Sequence, residues 1–146
     1  MIDIELSVVI NRTIEETFQF VVNHGENSPL WVAGLAEVKG LPEGPVDVGA
    51  QWTDVGSFFG VRGETSYELT EYTENSSIGY KTISGPSTFT GKYIFEPVDG
   101  GTKVSLTMKG ETGGLFKLAE PIVARMFRRQ WDTNLANLKD LLETHT

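Results

Sequence analysis

Trp52, Tyr67, Tyr80, Phe89 and Tyr93 are the side chains of this sequence best suited to meet another molecule. They fall in short segments where apolar and polar residues alternate: Ala50 to Phe58, Glu64 to Tyr72, Ile78 to Ser84, and the run beginning at Phe89. Alternation sends every second side chain to the same face of a sheet, and this parity puts the five rings together. Part of such a set is ordinary core. Three phenols on one inner face point further, because a buried hydroxyl needs a partner and a wet cavity offers water or a ligand. Apolar bodies with hydroxyl tips make a wall suited to a small hydrophobic or amphipathic molecule.

The residues for harder chemistry are sparse. There is no His-Glu-x-x-His, no metal-spaced histidine pair, no Gly-x-Ser-x-Gly and no phosphate-binding glycine loop. The histidines are His24 and His145, which leaves a nucleophilic or metal site little to work with. His24 follows the first helical stretch, where a histidine is usually a cap or solvated, or else gates a pocket near Trp31. His145 belongs to the end of the chain. Asp54 and Glu71 share the parity of Trp52 and Tyr67. Their default is a solvent-facing strand end; if either faces a cavity, burial makes it the candidate general acid or base. No residue is assigned as catalytic, and no cofactor or metal is implied.

The chain has 146 residues, 39% hydrophobic and 22% charged, enough for one ordinary domain spanning 1–146. The formal net charge of −8 would repel a phosphate backbone, so nucleic acid is not expected as a partner. Arg125, Arg128 and Arg129 form the one basic cluster, read as a solvated helix face in preference to an anion clamp. Cysteine is absent, the N-terminus lacks a basic leader, and no apolar run is long enough to span a membrane, so a cytoplasmic home is expected.

The element that must face the aromatic set is the C-terminal run from Leu115 to Glu143. Its apolar residues recur in steps of one, three and four, which is helical spacing. Helical throughout, it would measure ~44 Å. Pro121 either kinks it or begins the main helix after a separate turn at 115–119. Upstream, Ile2 to Ile10 alternate as a first strand. Thr13 and Glu16 form a capping-box pattern for a helix from Ile14 to about Val22. Asn23-His24-Gly25 stops that helix, and Ser28-Pro29 starts a short second one carrying Trp31. Six strands follow, with turns at Leu41–Val48, Phe59–Gly63, Thr73–Ser77, Gly85-Pro86 and Asp99-Gly100-Gly101, and the last strand carries Met108. The order β-α-α-β6-α with hairpin-like links implies an α+β fold with an antiparallel sheet of about seven strands.

That order of elements resembles the START-like, helix-grip (SRPBCC) superfamily, which includes the polyketide cyclase/dehydrase-like proteins and the birch pollen allergen family. Local features resemble the cyclase/dehydrase-like branch. These are the helix Thr13-Ile14-Glu15-Glu16-Thr17-Phe18 followed by Glu26-Asn27 and Trp31, Val48-Gly49 leading to Trp52, and Gly60 in the next hairpin. Tyr93 and Phe95 before Gly100-Gly101-Thr102, and Gly113-Gly114 before a proline-containing terminal helix ending in Leu138-Lys139, complete the pattern. The resemblance covers essentially the whole chain. It implies a curved sheet gripping the last helix with a cavity between them, and it implies no particular reaction.

The expected function is binding of a small hydrophobic or amphipathic molecule in that cavity. The expected lining is Trp31, Trp52, Phe59, Tyr67, Tyr80, Phe89, Tyr93 and Met108, with Ile122 and Met126 of the helix as the opposite wall. The mouth is expected between the Ser28–Leu35 turn, the Phe58–Gly63 tip and the first half of the last helix. Phe58 and Phe59 at that tip suit a lid over ligand or a homodimer contact. The alternatives are a polyketide cyclase- or dehydratase-like enzyme acting in the same cavity, and a chaperone-activator-like interaction module using the outer sheet. At ~24 cal/mol per Å³ a dry cavity of ~300 Å³ would cost ~7 kcal/mol. Net stability is only ~5–15 kcal/mol, so any large cavity must hold water or ligand, or be filled by side chains.

Overall fold

Ile2, Ile4 and Ile10 are buried while Asp3, Glu5 and Val9 are exposed, and this alternation produces the first strand, β1 (Ile2–Ile10). The computed structural model describes residues 2–41, 46–58, 61–85, 87–112 and 118–144. After β1, the Thr13 hydroxyl accepts from the Glu16 amide at 3.2 Å and starts α1 (Ile14–Val22). The short α2 (His24–Trp31) follows at once. The strands β2 (Leu35–Lys39), β3 (Gln51–Phe58), β4 (Val61–Thr73), β5 (Ser77–Ser84), β6 (Ser87–Val98) and β7 (Gly101–Thr112) come next, and α3 (Glu120–Thr144) closes the chain.

The strands form one curved antiparallel sheet of seven in the order β1-β7-β6-β5-β4-β3-β2. Consecutive strands from β2 to β7 are neighbours, as short links dictate. β1 closes the other edge against β7, with Ile4 opposite Met108 and Leu6 opposite Leu106. The α1–α2 pair carries the chain from that edge to β2. This is the helix-grip architecture expected from the element order.

Between sheet and helices lies one core that joins Phe18, Trp31, Leu69, Tyr93, Phe95, Leu106, Met108, Leu135, Leu138 and Leu142. Phe18 of α1 packs edge-on against Tyr72 and Phe95 at 5.6 and 5.1 Å. The far end of α3 is tied to the start of the chain. Glu143 accepts from the Asn11 amide at 2.9 Å and from Lys139 Nζ at 2.6 Å, and Arg12 Nη2 donates to the Glu143 carbonyl at 2.9 Å.

Two expectations are corrected, and the open alternative at Pro121 is decided for a helix that begins there. α2 begins at His24 rather than Ser28, because Asn23 both ends α1 and starts the next turn. The long helix begins at Glu120, with Pro121 in its first turn where a missing amide hydrogen costs nothing. It therefore spans 25 residues, roughly 38 Å, and the expected extension to Leu115 falls largely outside the described residues. The opposite wall is not built from Ile122 and Met126, which are 62% and 47% exposed. Counting down from Leu138 by threes and fours gives Leu135, Trp131, Phe127, Ala124 and Glu120 as the inward line. Ile122 is two residues off that line, roughly 200° around the helix.

Candidate functional site

Strand parity brings the aromatic residues of the sheet together as expected. Trp52 of β3 stacks on Tyr67 of β4 at 5.6 Å, directly across the ladder. Tyr67 meets Tyr80 of β5 edge-on at 5.5 Å, and Tyr80 lies 6.3 Å from Tyr93 of β6. The row continues off the sheet through Trp31 of α2, 6.5 Å from Tyr93, to Trp131 of α3, 6.2 Å from Trp31. Phe89 sits farther along β6 and stacks flat on Phe127 of α3 at 5.2 Å. Met108 is buried opposite Gly91. Phe59 lies outside the described residues, and with it the expected lid and homodimer contact.

The row depends on one absent side chain. The Tyr80 ring lies over Gly91, where any Cβ would overlap its Cζ and hydroxyl. Only glycine lets a tyrosine cross the neighbouring strand there.

Two polar tips at this row are buried without a partner among the described residues: the indole donors Trp31 Nε1 and Trp52 Nε1. Burial is the main reason the three phenols have pKa values raised well above the ordinary 10, and the Asp54 charge adds to it for each. They remain neutral donors at any physiological pH.

Asp54 anchors a polar line at the β3 end of the row. It is 9% exposed and its Oδ1 accepts from His24 Nε2 at 2.9 Å. His24 Nδ1 lies 2.5 Å from Ser28 Oγ, one helical turn along α2. A carboxylate only accepts, so Nε2 carries hydrogen, and in the neutral ring Nδ1 accepts from the Ser28 hydroxyl. Trp52 packs its ring edge-on to His24 at 5.6 Å, which joins the polar line to the aromatic row. The default expectation for Asp54, a solvent-facing strand end, is therefore overturned: α2 covers it. For Glu71 the default stands, for a different reason. A register shift between Leu69 and Glu71 turns its side chain outward, where Ser77 and Lys92 hydrogen-bond it and lower its pKa.

Sequence reasoning missed the Ser28–His24–Asp54 line. Its one local signal is a histidine and a serine four residues apart, which share a face only if the helix runs from His24.

Sequence reasoning also missed the pocket residues on α3. A pocket of about 100 Å³ lies between the Ala33-Gly34 turn, Ser57 at the end of β3, and Phe127, Gln130, Trp131 and Asn134 of α3. The turn is held to the helix because Asn134 Oδ1 accepts from the Ala33 amide at 3.1 Å and from Gln130 Nε2 at 3.1 Å. The Ala33-Gly34 turn lies where the mouth was expected, and Phe127, Gln130 and Trp131 fall in the first half of α3, with Asn134 just beyond its midpoint. Among the described residues no cluster of histidine, aspartate and glutamate suits a metal ion, and no helix is long and apolar enough to cross a membrane.

The family model described as polyketide cyclase / dehydrase and lipid transport matches residues 1–143. The chain belongs to this family. A comparison with curated proteins finds no match. Among solved structures, TTHA0849 from Thermus thermophilus superposes with a TM-score of 0.83 at 15% identity, covering 99% of both chains. The di-domain ARO/CYC StfQ from the steffimycin biosynthetic pathway gives 0.79 at 14% identity, covering 98% of this chain and 51% of that one. The di-domain ARO/CYC BexL from the BE-7585A biosynthetic pathway gives 0.78 at 19% identity, covering 100% of this chain and 48% of that one. At these identities the likeness is one of fold, and this cyclase/dehydrase-family chain spans about half of each di-domain protein.

Proposed function

We propose that this family member binds a small hydrophobic or amphipathic molecule between the sheet and α3, against the row of Trp52, Tyr67, Tyr80 and Tyr93. The observation that carries the reading is the pair of buried indole N–H groups, Trp31 Nε1 and Trp52 Nε1, which find no acceptor among the described residues at this aromatic row. A buried donor without an acceptor costs about 1–3 kcal/mol. Oxygen atoms of a ligand, or water where no ligand is bound, would offset that cost. The ring bodies and Met108 supply the apolar area that removes a hydrocarbon from water. The family's description and its ARO/CYC neighbours support a ligand of this kind.

A cyclase- or dehydratase-like reaction in the same cavity is the second reading. The observation favouring it is the Ser28–His24–Asp54 line, which apolar binding alone does not need.

Native mass spectrometry of the freshly purified chain, with extraction of whatever is released on denaturation, tests the binding reading. The expected result is a stoichiometric bound mass, or saturable quenching of tryptophan fluorescence when a long-chain fatty acid or a naphthol is added to apo protein. Tyr80→Phe should weaken that binding severalfold without loss of folding. A clean apo mass together with no quenching by either probe class would overturn the reading and favour a protein-interaction module.

A further inference from the structure

Arg125, Arg128 and Arg129 crowd into little more than one turn of α3, and the binding site leaves them unused. The ion pairs among the described residues draw on Arg12, His24, Lys39, Lys81, Lys92 and Lys139. None draws on these three arginines. Beside them stand Leu118, Ile122 and Met126, which are 89%, 62% and 47% exposed. On the helix, Ile122, Met126, Arg125 and Arg129 share an arc of roughly 100°. That arc lies opposite Leu135, Leu138 and Leu142, which are buried in the core.

The patch has clear borders. Arg128 lies on its flank towards β1, where it donates to the Glu5 carbonyl at 3.5 Å. Glu120 is buried on the inward line. One turn past the arginines the exposed face becomes acidic, with Asp132 and then Asp140. Apolar and cationic side chains are thus confined to the outer face of the first half of α3.

Charge and shape define the partner. The chain carries a formal charge of −8, so an anionic surface repels it except where cations are gathered, and approach is restricted to that patch. Side chains as exposed as Leu118 and Ile122 form a ridge. A protein partner would need a matching groove and about 800 Å² of buried surface on each side. A bilayer is fluid and moulds itself to a ridge, with apolar tips at the acyl boundary and guanidinium groups at the phosphates.

We propose that the first half of α3 docks by its outer face on an anionic lipid surface. Leu118, Ile122 and Met126 enter the headgroup layer, and Arg125 and Arg129 pair with lipid phosphates. Docking uses the side of α3 away from the sheet and does not depend on what the cavity binds.

Sucrose-loaded vesicles of phosphatidylcholine alone, or of equal parts phosphatidylcholine and phosphatidylglycerol, are sedimented with the full chain. The anionic vesicles should carry it down and the zwitterionic ones should not. Raising sodium chloride from about 0.05 to about 0.5 M should release most of it, because the Debye length shortens. Arg125→Gln with Arg129→Gln should weaken partitioning about tenfold or more. Ile122→Gln with Met126→Gln should weaken it by a similar factor. All four positions are exposed, and circular dichroism checks that both variants fold. The chain has no cysteine, so Met126→Cys and Val98→Cys can each carry a single environment-sensitive label. With anionic vesicles the label at position 126 should shift to the blue. The label at position 98, at the other end of β6 from the strand end that pairs with Thr112, should not. If a glutamine variant fails to fold, the two labels decide. Equal sedimentation with both kinds of vesicle, unchanged partitioning of the folded glutamine variants, or no response at position 126 overturns the proposal. Absence of sedimentation with anionic vesicles overturns it too, and leaves the ridge to a protein partner.

Discussion

Tyr80 can lie across the sheet only because residue 91 has no side chain. At the scale of single residues this is the most exacting packing relation in the site. Gly91→Ala would push the Tyr80 ring off its neighbours Tyr67 and Tyr93. Overpacking of this kind costs about 1–3 kcal/mol, which a urea midpoint would read as a loss of stability with an unchanged slope. Asp54 illustrates how far residue identity goes. Its parity with Trp52 was legible, because alternation alone fixes which face a strand residue occupies. Its partner was not, because His24 lies thirty positions away and only the fold makes them neighbours.

The phase of α3 decides which of its side chains face the sheet. That phase follows from Leu135, Leu138 and Leu142, which are buried, and it carries Phe127, Trp131 and Asn134 to the pocket. Asn134 is the element's fastener: it holds the Ala33 amide across the helix–turn junction. Asn134→Ala leaves that amide without its acceptor and should cost about 1–3 kcal/mol in chemical denaturation. Ile122→Lys and Met126→Lys, on the outer face, should change stability by no more than about 0.5 kcal/mol. A large loss from either lysine would mean that the helix is rotated from the orientation described. The capping pattern at Thr13 and the strand alternation were legible because both are local. The start of α3 was not, because a proline suits the first turn of a helix and also breaks one.

Across the whole molecule, the fold gathers three phenols on one face of the sheet. Burial, then the neighbouring phenols and the Asp54 carboxylate, raise the pKa of Tyr67 and Tyr93 above 10. For Tyr80 the causes are burial, then Asp54. A phenol with a raised folded-state pKa favours folding fully below the unfolded value of about 10, and that contribution is lost as pH rises towards the folded value. The protein should therefore lose stability above about pH 10. Most of its phenolate absorbance should emerge together with the loss of far-ultraviolet circular dichroism. Phenolate absorbance from these residues well before unfolding would show that the face is open to solvent.

The order of elements, the antiparallel sheet, the family resemblance and the shared face of Trp52, Tyr67, Tyr80, Phe89 and Tyr93 were all written in the amino-acid sequence. Each follows from periodicity, capping and turn chemistry, which act over a few residues. It took the folded chain to establish that α2 covers Asp54, that His24 and Ser28 line up behind it, and that Phe127 and Trp131 rather than Ile122 and Met126 face the sheet. Those relations depend on where helices dock. Docking is set by the summed burial of many side chains distant in sequence, and no local pattern of residues carries that sum.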